Sequence, residues 1–150
     1  MFELIRSIRI DGEHATGTAH IDADHPMLLD HFPGRPILPG SWLVELAAQI
    51  AGPLAEDATR ARHALDRCAL LAMIEHAKLL APVELPATVR FEATIARSDP
   101  SSVIVRATAH HGDVAVLRAD LVFALIDAPP GTEAAARARH ERLARWRAAP

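Results

Sequence analysis

Residues 40–56 limit the possible folds more than any other part of this chain. Leu43, Val44, Leu46, Ala47, Ile50, Ala51 and Leu54 put apolar side chains on nearly every side of one helix. A helix of that kind is buried. Pro39 and Gly40 stand where it begins, Ser41 reads as its N-cap, and Gly52-Pro53 kinks or ends it. Residues 57–67 are polar and read as helix extension or exposed loop. Around this helix the pattern is of strands. Residues 2–10 alternate apolar and polar, Asp11-Gly12 turns the chain, and residues 15–21 return. After the helix come strand-like runs at 70–80, 88–96, 102–110 and 114–126, the last two joined across His111-Gly112-Asp113. Two strands, one buried helix and four strands make an α+β fold in which a sheet wraps around the helix.

The 150 residues suit one domain with a real core, and half of them are hydrophobic. A net charge of −3 argues against a nucleic-acid binder. The single cysteine, Cys68, makes no internal disulfide and fits a reducing cytoplasm. Residues 1–10 alternate with charges rather than forming the apolar block of a signal peptide, and no apolar run is long enough to span a bilayer.

Residues 24–39 hold four prolines, too many for a central strand. Such an irregular stretch inside a small domain is often functional. Its end reads His-Phe-Pro-Gly-Arg-Pro-Ile-Leu-Pro-Gly over residues 31–40, with three prolines and two glycines that fix backbone geometry. The turn holds His31 just ahead of the helix. Histidine titrates near neutrality and serves as a general base; the plain alternative is one more surface histidine among nine. Glu45 lies within the greasy helix, where burial would raise its affinity for a proton and make it a donor. Gln49, one turn on, is placed to hold its carboxyl. The plain alternative is a glutamate at the helix edge, wetted or paired with arginine. Gly40 has an N–H that the helix does not use, and such a group stabilises negative charge on a carbonyl oxygen; it also simply lets the chain turn. A base, a backbone donor and an acid together suit removal of a proton next to a thioester carbonyl and loss of a β-hydroxyl. That chemistry needs no metal or redox cofactor.

The run His31 to Gly40, followed by Glu45-Leu-Ala-Ala-Gln49, resembles the FabZ-type 3-hydroxyacyl-[acyl-carrier-protein] dehydratases. The lead-in, Asp-His-Pro-Met-Leu-Leu-Asp-His over residues 24–31, looks closest to FabZ-like dehydratases of aryl-polyene and polyketide pathways. The resemblance covers residues 1 to about 126 and extends weakly to Lys78 and Pro82-Val83. It implies a hot-dog fold, a curved antiparallel sheet around a central helix, for residues 1–128. It places His31 on the catalytic histidine, Glu45 on the catalytic acid and Gly40 on the glycine that binds the thioester carbonyl. Phe32, Pro39, Trp42 and Gln49 fall on the substrate side of that site. It further implies a homodimer or larger homo-oligomer whose site combines the histidine of one subunit with the acid of the other. The substrate would ride on the phosphopantetheine of an acyl-carrier protein, with no other cofactor, nucleic acid or membrane involved.

Three residues depart from the family's pattern. Asp30 replaces a glycine and adds a charge beside His31, which would raise the histidine's pKa if it faces the ring. Ser41-Trp42 replaces small or aliphatic residues, and Trp42 either lines an acyl tunnel or belongs to the core, the latter preferred. Asp120 stands where many relatives carry Glu. His110-His111 lacks the spacing of a zinc site and reads as a solvated hairpin, Ser41 lacks the second glycine of a nucleophile elbow, and Cys68 is filler. Residues 129–150 hold five arginines against two glutamates, leaving −6 on the rest of the chain. This tail reads as an exposed or fraying helix or flexible segment, or as a docking surface for an acidic carrier protein; the first is preferred. Two rivals to the dehydratase stay open: a thioesterase in which Glu45 activates water, and a non-catalytic subunit of a heteromeric complex.

Overall fold

A computed structural model describes residues 3–28 and 30–149. Phe2 of the first expected strand, Leu29 of the irregular stretch and Pro150 of the tail lie outside the described residues.

The elements run β1 (Ile5–Asp11), β2 (His14–Ile21), α1 (Gly40–His63), β3 (Cys68–Leu79), β4 (Ala87–Ser98), β5 (Ser102–His111), β6 (Val114–Ile126) and α2 (Glu133–Ala148). All six strands join one antiparallel sheet in the order β1-β2-β4-β5-β6-β3. Alternation decides which face each strand buries. In β4, Ala87, Val89, Phe91, Ala93 and Ile95 point inward and the residues between them face solvent. Val103, Val105, Ala107 and Ala109 do the same in β5. Gly112, at a φ of 57°, makes the tight turn between β5 and β6 in a conformation glycine adopts without strain.

The inward face of the sheet receives α1. Leu46, Ile50 and Leu54 are fully buried there with Phe91, Leu117 and Leu121. The helix runs through Pro53 to His63 and stops at Ala64, which is left-handed at a φ of 52°. A proline inside a helix costs roughly 3 kcal/mol, yet Gly52, Pro53, Leu54 and Ala55 are all buried. Packing against the sheet therefore outweighs the lost hydrogen bond: the helix does not end at Gly52-Pro53, and of the two readings of residues 57–67, helix extension holds as far as His63. Ser41 does not cap the helix. Pro39 occupies that position, its carbonyl accepts from the N–H groups of Trp42 (3.0 Å) and Leu43 (3.3 Å), and no side chain caps it.

The C-terminal segment is a docked helix rather than a fraying one. No residue of α2 is fully buried, but Leu143 and Trp146 pack against the core. Arg139 reaches Glu56 of α1 at 2.9 Å, Arg147 reaches Asp57 at 2.9 Å, and Arg145 reaches Glu3 at 3.5 Å. Glu56 is buried and also accepts the Ala69 N–H at 2.9 Å. That satisfies both carboxylate oxygens, the condition under which a buried charge is tolerated. Among the described residues no helix is long and apolar enough to cross a membrane.

Candidate active site

The Pro/Gly loop is fastened at both ends. A short 3-10 turn, Pro26–Leu28, precedes it, and the His31 N–H donates to the Leu28 carbonyl at 2.9 Å. Further on, the Leu38 N–H donates to Val83 O (2.8 Å) and the Leu85 N–H to Pro36 O (3.0 Å), around an isolated bridge between Ile37 and Glu84. The Arg35 guanidinium closes the same contact through Nε on Glu84 at 3.0 Å. The His31 ring is half-buried and sits edge-on to Phe32, with ring centroids 4.6 Å apart. Phe32 itself has a φ of 55° and an exposed ring. A left-handed aromatic residue is uncommon and marks a backbone fixed by its surroundings. Asp30 is exposed and forms no ion pair with His31.

Gly40 is the first residue of α1, so its N–H has no acceptor within the helix. A Cβ built there would lie 2.1 Å from Leu79 Cδ1, so the end of β3 packs where a side chain would be. Gly40 lines a cleft of about 220 Å³ with Leu38, Leu43, Leu79 and Leu80. Pro39 and Trp42 are half-buried beside it. Trp42 packs on the core and meets the ring of His25 edge-on at 5.2 Å, linking the loop to the helix. His25 was not singled out in the sequence, where it is one histidine among nine.

Glu45 corrects an expectation. It is exposed in the single chain, so it lacks the desolvation that its position in a greasy helix implied. The first turns of the helix carry one polar stripe, Ser41, Glu45 and Gln49 at intervals of four, with Ser41 and Glu45 exposed and Gln49 half-buried. The expected partner is in place: Gln49 Nε2 donates to Glu45 Oε1 at 2.8 Å. Both residues line a second cleft of about 330 Å³, with Ala48, Gly52 and Pro53 of α1, Leu71 of β3 and Phe123 of β6. Its remaining wall is α2, through Arg139, Arg142, Leu143 and Trp146. The sequence carried one sign of this wall, the spacing of three between Leu143 and Trp146 in an otherwise polar helix.

Within one chain, among the described residues, His31 and Glu45 are joined by no hydrogen bond or ion pair, and neither of the two clefts at Gly40 and Glu45 is lined by both. A feature of β3 bears on this separation. It is an edge strand, and Leu70, Met73 and Leu79 are 55%, 54% and 58% exposed, with Ile74 and Leu80 exposed beside them. Single exposed apolar residues are ordinary, but a row of them along an unpaired edge marks an interaction surface.

One helix held against a six-stranded antiparallel sheet is the hot-dog fold, and solved structures agree. A Streptococcus mutans protein bound to acetyl CoA matches with a TM-score of 0.66 at 16% identity, over 85% of this chain and 92% of its own. A Haemophilus influenzae thioesterase matches with a TM-score of 0.60 at 17% identity, over 80% and 77%. These likenesses concern the fold alone. Sequence comparison is more specific. The family model described as ApeI-like, ApeI dehydratase, matches residues 7–116. A 3-hydroxyacyl-[acyl-carrier-protein] dehydratase FabZ of Thermomicrobium roseum is 30% identical over 125 residues, 81% of this chain and 80% of its own length. The corresponding FabZ of Solibacter usitatus is 29% identical over 81% and 74%. The chain belongs to the ApeI-like dehydratase family, within the FabZ-type dehydratases.

Proposed function

We propose that this protein dehydrates a 3-hydroxyacyl thioester carried on an acyl-carrier protein, giving the trans-2-enoyl thioester and water. His31 removes the proton next to the carbonyl. The Gly40 N–H stabilises the charge that develops on the thioester oxygen. Glu45, protonated, gives its proton to the β-hydroxyl as the C–O bond breaks, and the released electron pair of the C–H bond becomes the new double bond. The proton then passes from His31 back to Glu45 through solvent. Gln49 holds the acid in position. Phe32, Pro39 and Trp42 shape the approach to Gly40. The observation that carries this reading is the placement of three groups: a histidine on a fastened loop, a free N–H at the start of α1, and a Glu–Gln pair one turn further along. Family membership adds to it. The chain fits acyl synthesis of the fatty-acid, aryl-polyene or polyketide type.

The active unit is a homodimer or a larger assembly built from it. Two copies meeting along β3 would cover the exposed leucines and methionine and bring the His31 loop of one copy toward Glu45 of the other. The same contact would supply the burial that Glu45 lacks alone.

The test is to incubate the protein with a 3-hydroxyacyl-carrier protein and weigh the intact carrier. Loss of one water, abolished in both His31→Ala and Glu45→Gln, supports the reading. Loss of the whole acyl group would make the protein a thioesterase. An unchanged carrier across several chain lengths would point to a non-catalytic subunit.

A further inference from the structure

Helix α2 lies beyond the stretch matched by the family model, yet it forms a wall of the cleft that holds Glu45. Its placement is not a loose contact. The Arg139–Glu56 pair fixes its middle, with Glu56 buried and also bound to the Ala69 N–H. Arg147–Asp57 and Arg145–Glu3 fix its C-terminal turns.

Beneath α2 lie two clefts. The one at Glu45 has about 330 Å³, near the lower end of the roughly 300–1,000 Å³ that small-molecule sites span. The other has about 750 Å³ and runs on past Glu56, Arg60 and Cys68. Three residues line both: Pro53 of α1, and Arg139 and Leu143 of α2. Arg139 and Leu143 are four apart, so they stand on one face of the helix. With Pro53 they mark the boundary that the two spaces share.

We propose that Leu143, positioned by the Arg139–Glu56 pair, is the residue that limits the length of the acyl chain. This rests on the dehydratase reading, since it takes the apolar space beyond Glu45 to be the acyl pocket. A chain whose thioester lies at Gly40 and whose β-carbon lies at Glu45 continues along Ala48, Gly52 and Pro53 of α1, facing Leu71 and Phe123 of the sheet, with Gln49 and the α2 arginines Arg139 and Arg142 at the rim of the same cleft. It ends at Leu143. The larger cleft beyond is closed to it by that side chain. The substrate class is therefore an acyl chain of short to medium length.

The experiment measures kcat/KM over a series of 3-hydroxyacyl-carrier proteins of increasing chain length, in the wild type, Leu143→Ala and Leu143→Met. One methylene in an apolar pocket changes discrimination by about tenfold or more. Leu143→Ala should raise the ratio of long-chain to short-chain kcat/KM about tenfold. Leu143→Met, which conserves volume, should keep the wild-type profile. Trp146 fluorescence and limited proteolysis within residues 133–148 report whether α2 is still docked. An unchanged profile in Leu143→Ala with α2 docked would overturn the proposal, as would a uniform fall at every length. Calorimetry of saturated acyl-pantetheines reads the same wall without turnover. If the wild type dehydrates nothing but binds these ligands with a length cut-off that Leu143→Ala relaxes, the dehydratase reading fails and the wall stands. If the cut-off is the same in both proteins, the wall fails.

Discussion

The two edges of the sheet are finished in opposite ways. β1 is a strand of seven residues that shows Arg6, Arg9 and Asp11 to solvent, and α2 packs over its start through Arg145 and Trp146. β3 has twelve residues and shows Leu70, Met73, Ile74 and Leu79, and among the described residues no other strand pairs with its outer edge. Its ladder with β6 is interrupted twice, between Leu71 and Met73 and between Glu75 and Lys78, and such irregularities bend a strand. Short, charged, covered edges resist pairing, and long apolar ones invite it. The chain packs its own C-terminal helix against one side of its sheet and leaves the other edge open, which is where the proposed dimer would form. The site follows the same division. The wall beside Glu45 that α2 supplies comes from the same chain, whereas in the proposed dimer the histidine opposite Glu45 comes from the other copy.

Breaking the chemistry at the open edge has the largest expected effect. His31→Ala and Glu45→Gln should each lower kcat by about a hundredfold to ten-thousandfold, the usual contribution of a positioned acid or base. The thermal midpoint should hold within a few degrees, since neither side chain is buried in the core. Met73→Asp attacks the edge itself. Its side chain is exposed in the single chain, so folding should survive. A charge at the centre of an apolar interface should weaken dimerisation about thirtyfold or more, read by sedimentation, and activity should fall with the dimer population. The covered edge is tested by Glu56→Ala, which removes the partner of Arg139 and leaves the Ala69 N–H without its acceptor. The expected loss is about 1–3 kcal/mol, with earlier proteolysis in α2 and an unchanged oligomeric state.

How much of this was legible in the sequence depends on the kind of signal. β4 and β5 could be read because alternation is a local property, and α1 because its apolar residues are dense. The exposure of Glu45 was legible only as the plain alternative to burial. Counting apolar neighbours along α1 hides the fact that Ser41, Glu45 and Gln49 share one stripe, and which stripe faces the sheet is settled by packing. Docking of α2 was hidden for a similar reason. Its five arginines look like a solvated run until Glu56, Asp57 and Glu3, far away in sequence, are placed beneath three of them. The loop around His31 could be read as rigid from its prolines, but its fastening to residues 83–85 is a long-range contact that no local pattern announces.

The smallest predicted effect lies far from both edges and serves as a control. In the turn between β4 and β5, the Asp99 carboxylate accepts from the backbone N–H and hydroxyl of Ser101 and from Ser102, and these bonds lower its pKa from 3.8 to about 2. A carboxylate held below its unfolded value contributes stability that is fully present above about pH 4 and fades as the pH falls through about 2. Asp99→Asn should therefore be slightly less stable than the wild type at neutral pH, and the gap should close across that acid window in denaturant titrations. Oligomeric state and chain-length preference should not change.

The central claim is that each site takes its histidine from one copy and its acid from the other. It is tested by joining two inactive proteins. His31→Ala and Glu45→Gln, carrying different affinity tags, are co-expressed and the mixed dimer is purified. Across a two-fold interface, one site of that dimer holds both lesions and the other holds none. The account predicts about half the wild-type turnover per dimer. A mixed dimer as inactive as its parents would contradict it, because a site built within one chain leaves every site with a lesion.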